Sequence, residues 1–226
     1  MLERSMVLNP TDFPDEWVNE TVKALLEGAV VVHPTETVHG FGCRADNPEA
    51  LKRIHNLKGR DPVKSFILLV QGVEWVGRFC PAPPSRALKL AETFWPGPLT
   101  IVSGTSPEAR NEYPWLGETV ALRQTPHPFT SRVVKNLGLP MVSTSLNRSG
   151  HPAPDDPLSF VKGLEGVVEL AVIDPASAAG SAGKASSVVA VSADGRLEML
   201  REGVLTAARI QAITGLEVRL ENSHNG

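Results

Sequence analysis

The residues of this chain best suited to chemistry are cations and hydroxyls, not a nucleophile with its base. Lys58, Arg60 and Lys64 form a local basic cluster. Arginine offers a planar fork and lysine a point charge, so such a cluster suits an anionic group such as phosphate. Cations beside a helix end also offset its carbonyl dipole, a structural use worth roughly a few tenths of a kcal/mol. Ser143, Ser145 and Asn147 alternate along the chain. In extended backbone that spacing turns all three to one side and offers hydroxyl and amide groups to a sugar or phosphate. Serine, threonine and asparagine at strand ends equally satisfy their own backbone in turns. Thr35 and Thr119 belong to similar hydroxyl-rich stretches. His33, His39 and His55 lack metal-ligand spacing, His127 and His151 precede prolines in loops, and none is assigned a catalytic role. No GxxxxGK[ST], GxGxxG, HExxH or GxSxG element occurs, which removes the common nucleotide-loop, zinc-protease and hydrolase readings.

The elements that must position these groups follow from hydrophobic spacing. Asp12 and Pro14 open a helix through Leu26, and Ala29–His33 is a short apolar strand ending at Pro34. The segment from Pro34 to Gly42 reads as a polar loop at that strand's end, where open α/β sheets place ligands. Asn47-Pro48-Glu49 starts a helix that ends in the basic turn at Lys58. Phe66–Val70, Leu99–Ser103, Thr119–Arg123 and Pro140–Ser143 read as strands, and Pro84–Phe94 and Pro128–Leu137 as helices. Leu158–Leu164 has helical spacing and Val167–Ile173 reads as a strand. Ser186–Val191 and Leu197–Leu200 read as antiparallel strands about an Asp194-Gly195 turn. Ala176–Lys184 is rich in small residues and reads as mobile. Strands and helices mix without strict alternation, so the expected fold is α/β: a single-domain, open, twisted, mixed parallel and antiparallel sheet covered by helices. Three hydroxyl-rich strand ends on one edge, at Thr35, Thr119 and Ser143, would make a polar concavity.

Composition sets the outer limits. A chain of 226 residues with 42% hydrophobic and 21% charged residues is ordinary for a globular protein. Its longest apolar run is far short of the roughly 20 residues that span a bilayer, and the first residues lack a signal peptide's apolar stretch, so a cytoplasmic protein without membrane association is expected. Cys43 and Cys80 have no CxxC spacing and suggest neither zinc nor a disulfide framework. A net charge of −3 argues against gripping nucleic acid by bulk electrostatics.

In order along the chain come Pro34-Thr-Glu-Thr37, Lys58-Gly-Arg60, Phe94-Trp-Pro-Gly-Pro98, Val120-Ala-Leu-Arg123, Ser143-Thr-Ser-Leu-Asn147, Ser186-Ser-Val-Val189 and Leu200-Arg-Glu-Gly203. With this series the chain resembles the YrdC/Sua5 family of threonylcarbamoyl-AMP synthases in its short form, without the extra C-terminal domain. The resemblance implies a YrdC-like catalytic domain over residues 1–221, followed by a frayed tail at 222–226. It implies that bicarbonate adds to the amine of L-threonine and that the carbamate attacks the α-phosphate of ATP, expelling pyrophosphate. Other enzymes, the threonylcarbamoyl transferase machinery, would pass the product to adenosine in tRNA, with little or no tRNA held by this chain.

The resemblance also carries roles. Lys58 and Arg60, its KxR pair, would hold the triphosphate as catalytic residues. Arg60, Lys64, Thr119, Ser143, Ser145, Asn147 and Arg201 would bind ATP, and Thr35, Arg123 and Ser186 would bind threonine. Magnesium would accompany the triphosphate, with no protein ligand marked for it. The chain departs from the family pattern at His39 (usually Tyr), Phe41 (Leu), Leu146 (Ala) and Ala185 (Pro). Leu146 would stand beside the nucleotide loop and reshape the base pocket. Two other readings stay open: a YciO-like paralogue with altered or lost synthase activity, and a non-catalytic RNA-binding module. The presence of KxR and SxN opposes the first, and the acidic net charge opposes the second.

Overall fold

The computed structural model describes residues 4–9, 12–59, 66–164, 166–177 and 183–220. Among them, eleven strands form one sheet. They are β1 (Arg4–Val7), β2 (Val31–His33), β3 (Gly40–Arg44), β4 (Ile67–Leu69), β5 (Leu99–Gly104), β6 (Thr119–Arg123), β7 (Met141–Ser145), β8 (Leu170–Ile173), β9 (Ser187–Val191), β10 (Leu197–Arg201) and β11 (Val218–Leu220). The order across the sheet is β1-β8-β2-β3-β7-β4-β6-β5-β9-β10-β11. Parallel pairs such as β4–β6 and β5–β9 stand beside antiparallel pairs such as β3–β7 and β5–β6, the mixed sheet that the pattern of elements predicts.

The helices are α1 (Asp15–Leu26), α2 (Pro48–Lys58), α3 (Glu74–Phe79), α4 (Ser85–Phe94), α5 (Pro107–Glu112), α6 (Pro128–Leu137), α7 (Pro157–Lys162) and α8 (Ala207–Thr214). Local chemistry sets the ends of the one that matters most for the site. In α2, the Asn47 side chain accepts from the Ala50 N–H at 3.0 Å and Pro48 supplies the first turn, while Gly59 closes the helix in the left-handed conformation at φ 55°. This stop leaves Lys58 as the last helical residue.

Alternate residues along the strands at the covered end of the sheet feed two cores. Val30 and Val32, Leu68, Val142 and Ala171 pack with α2, α3, α4, α5, α7 and α8. Their neighbours Val31, Leu69, Met141, Leu170 and Val172 pack on the other face, where α1 and α6 are the only covering helices among the described residues. Two helices cannot cover eleven strands. Among the described residues, the second face is therefore sealed at one end and bare over β5, β6 and the far halves of β4 and β7.

Several expectations need correction. The segment after Pro34 is loop only to His39, because Gly40 already pairs with His33 and with Ser145. The glycines there serve close packing, since a Cβ on Gly42 would stand 2.9 Å from His33 Cδ2. Thr119 begins β6 instead of ending a strand, and Ser143 lies in mid-strand. β1, α3, α5, α8 and β11 go beyond the elements that spacing predicts. Residues 178–182 of the small-residue segment and the tail at 222–226 lie outside the described residues. No described helix is long and apolar enough to cross a membrane.

Candidate active site

The bare half of the second face is the floor of a cavity of about 490 Å³. Its centre is one row of cross-strand neighbours: Ser143 on β7 faces Ile67 on β4, Ile67 faces Ala121 on β6, and Ala121 faces Val102 on β5. These side chains are small or short, so the floor stays low. Thr119 lines the exposed rim.

On one wall α2 delivers Lys58, which is only 4% exposed. Its ammonium donates to Ser145 O at 2.7 Å, to Ser145 Oγ at 3.3 Å and to Asn147 Oδ1 at 2.5 Å. Ser145 Oγ also donates to Asn147 Oδ1 at 2.6 Å, and Asn147 Nδ2 donates to His151 O. Lys58 is thus no solvated cation offsetting a helix dipole. It joins two segments 87 residues apart into one polar corner, which strengthens the functional use of both. Arg60 and Lys64 lie outside the described residues.

The opposite wall is the loop after β2. Arg123, 4% exposed, donates from Nη2 to Glu36 Oε1 at 2.5 Å and to Thr37 Oγ1 at 3.0 Å, and from Nε to Gly97 O at 3.3 Å. Thr125 Oγ1 donates to Glu36 Oε2 at 2.7 Å, so the carboxylate is held from both sides. The fork is fixed in place and the arginine still lines the cavity. Thr35 lines it too, but its hydroxyl donates to Val38 O at 2.6 Å and accepts from the Thr37 and Val38 N–H groups at 3.2 and 3.1 Å. That hydroxyl shapes the loop that Arg123 leans on.

At the third side, Arg201 reaches across from β10 and donates to Ser186 O from Nε at 3.1 Å and from Nη2 at 2.9 Å. Ser186 Oγ lies 3.0 Å from Thr100 Oγ1. Gly203 makes the crossing possible, because a Cβ there would be 2.2 Å from Ala185 O. Every described residue of the predicted site therefore lines the same cavity. Leu146 does not line it: it is 1% exposed and packs in the core on the other face. Spacing gave no signal for Glu36, Thr37, Thr100 or Thr125, whose roles depend on pairings across the sheet.

Behind the loop lie buried histidines. Burial pulls His33 from 6.5 down to about 3 and His39 down to about 4, so both rings are neutral near pH 7. His127 is lowered by the same cause, against the pull of Asp174, whose Oδ2 lies 2.9 Å from His127 Nε2. No cluster of three or more His, Cys, Asp or Glu suited to a metal occurs among the described residues. Glu36 is taken by Arg123 and Thr125, and Asp174 by His127 and the Ala176 N–H, so the described residues of the cavity present no ligand set for magnesium.

Comparison with known proteins fits this geometry. Residues 23–203 match the family model Sua5/YciO/YrdC, described as telomere recombination. The chain belongs to this family. A threonylcarbamoyl-AMP synthase of Bacillus subtilis (strain 168) is 32% identical over 202 residues, covering 89% of this chain but 57% of the relative, so the chain spans little more than half of that protein. The structure of P. abyssi Sua5 complexed with L-threonine superposes with a TM-score of 0.82 at 28% identity, covering 96% of this chain and 62% of that one. Escherichia coli YciO, with a TM-score of 0.78 over 92% of this chain and 98% of its own, is 22% identical and shares the fold. The resemblance read from the motifs and the mixed-sheet fold are both borne out at the level of the Sua5/YciO/YrdC family.

Proposed function

We propose that the protein is a threonylcarbamoyl-AMP synthase, forming threonylcarbamoyl-adenylate and pyrophosphate from L-threonine, bicarbonate and ATP for tRNA modification. The observation that carries this reading is the Lys58 corner: the lysine of the KxR element grips Ser145 and Asn147 of the SxN element on the wall of a cavity that also holds a fixed arginine. Adenylation needs positioning and charge neutralisation more than a protein nucleophile, and this cavity supplies both. Lys58, with Arg60 and Lys64 beside it in sequence, would offset charge on the departing pyrophosphate. Ser143, Ser145, Asn147, Thr119 and Arg201 would surround the nucleotide. Arg123, fixed through Nε and Nη2 by Gly97, Glu36 and Thr37, would take the threonine carboxylate through Nη1, which those bonds do not use, with Thr35 and Ser186 shaping the pocket around it. Magnesium would ride on the triphosphate, and no step is assigned to it.

A YciO-like loss of synthase activity is the second reading, and the intact contact of Lys58 with Asn147 weighs against it. The test is to incubate the purified protein with ATP, threonine and bicarbonate and follow pyrophosphate. Release that requires both co-substrates is expected; release indifferent to either one rejects the synthase reading.

A further inference from the structure

Of the buried histidines His33, His39 and His127, His39 alone lines the cavity. The backbone N–H of Asp174 lies 3.1 Å from His39 Nε2. A backbone amide can only donate, so Nε2 is the acceptor and the proton of the neutral ring sits on Nδ1. The amide that sets this tautomer is held in turn. Asp174 Oδ2 lies 2.9 Å from His127 Nε2, and Oδ1 accepts from the Ala176 N–H at 2.8 Å. Burial keeps the ring uncharged far below neutral pH. Nδ1 has no hydrogen-bond partner among the described residues.

We propose that His39 is a fixed, neutral hydrogen-bond donor whose Nδ1–H holds an acceptor oxygen of the amino-acid substrate. This rests on the synthase reading and names a contact within it. The placement supports it. His39 follows directly on the loop whose Thr37 touches Arg123, and its own carbonyl accepts from Leu146 N at 2.9 Å, beside Ser145 and Asn147. The backbone of His39 thus stands between the corner suited to a carboxylate and the corner suited to phosphates, and its side chain lines the cavity there with Nε2 anchored on the Asp174 N–H. An amino acid bridging the two presents two acceptors there, its side-chain hydroxyl and the carbamate oxygen formed from bicarbonate. A ring already protonated on Nδ1 and uncharged cannot act there as a general base, so its contribution is to hold and orient.

Two substitutions separate the donor from the fold. An asparagine amide reaches the place of Nδ1, whereas a glutamine amide reaches the place of Nε2. His39→Gln keeps a partner for the Asp174 N–H and loses the donor to the cavity. His39→Asn does the reverse. Steady-state pyrophosphate release and thermal melting are measured for both, with wild type establishing the dependence on threonine and bicarbonate. The proposal expects kcat/KM for threonine to fall about tenfold in His39→Gln and to recover to within about threefold in His39→Asn. Melting temperature should rank the other way, since the asparagine leaves a buried N–H unpaired. 2-Aminobutyrate, which lacks the hydroxyl, tells the two oxygens apart. A contact to the hydroxyl makes His39→Gln lose the preference for threonine through KM, and a contact to the carbamate lowers kcat equally for both amino acids. Wild-type kinetics in His39→Gln, or an equal loss in both variants, overturns the proposal while leaving the wild-type reaction to judge the synthase reading.

Discussion

The two halves of one sheet face are built by the same alternation and end in opposite states. On β7, Met141 is fully buried under the helices, while Ser143, two residues on and on the same side, lines the cavity. On β4 the pair is Leu69 and Ile67, the first in the core and the second half-exposed on the floor. The boundary between core and site is the edge of helix coverage. Where α1 and α6 stop, the inward positions change from Met141 and Leu69 to Ser143, Ile67, Ala121 and Val102, and the Lys58, Arg123 and Arg201 side chains close in from the sides.

The most severe way to break this comparison is to loosen the covered half. Phe129 of α6 is fully buried, and Phe129→Ala should cost about 3–5 kcal/mol by opening a cavity that the helix cannot collapse into. Urea unfolding measures it. A loss below about 1 kcal/mol would mean that α6 covers the sheet without sealing it. On the open half, Lys58→Ala should lower kcat/KM by about 100- to 1000-fold, the scale of one preorganised charge-stabilising donor. Turnover close to wild type removes Lys58 from the mechanism.

The chain's pattern made one half far more legible than the other. α6 was readable to the residue because Phe129, Val133, Val134 and Leu137 repeat at helical spacing between Pro128 and Gly138. The site was readable mainly as ordered motifs. Their convergence was not, because Lys58 and Asn147 meet only through a sheet order that puts β3 beside β7. The glycines of β3 misled for a physical reason: Gly40 and Gly42 mark a loop by composition, yet they are small because His33 packs against them. Leu146 looked like a pocket residue by its position among Ser145 and Asn147, but strand alternation turns it to the opposite face.

Acid should act at the boundary between the halves, where His33 is buried. Its folded-state pKa, about 3, lies below the unfolded value near 6.5. Between these values the unfolded chain binds the extra proton, so stability is complete above 6.5 and is lost as pH falls. The expected slope is about 1.4 kcal/mol per pH unit from this residue. Urea unfolding at pH 7 and pH 5 should show it, with His39 adding to the same trend down to about 4. His33→Gln should flatten the curve, and an unchanged slope would place the acid sensitivity elsewhere.

The smallest effect tests the floor itself. Ala121 is 8% exposed, belongs to neither core cluster, and looks into the cavity between Ile67 and Val102. In a packed core, three added carbons would force neighbours apart at a cost of about 1–3 kcal/mol. On an open floor they meet space that a ligand would fill. Ala121→Leu is therefore expected to change stability by no more than about 0.5 kcal/mol while raising the ATP requirement about tenfold, the effect of a side chain occupying substrate volume. Paired urea unfolding and ATP titration distinguish the two outcomes. Lost stability with unchanged ATP dependence would show that Ala121 is core, and that the site begins farther toward β9 than the end of helix coverage implies.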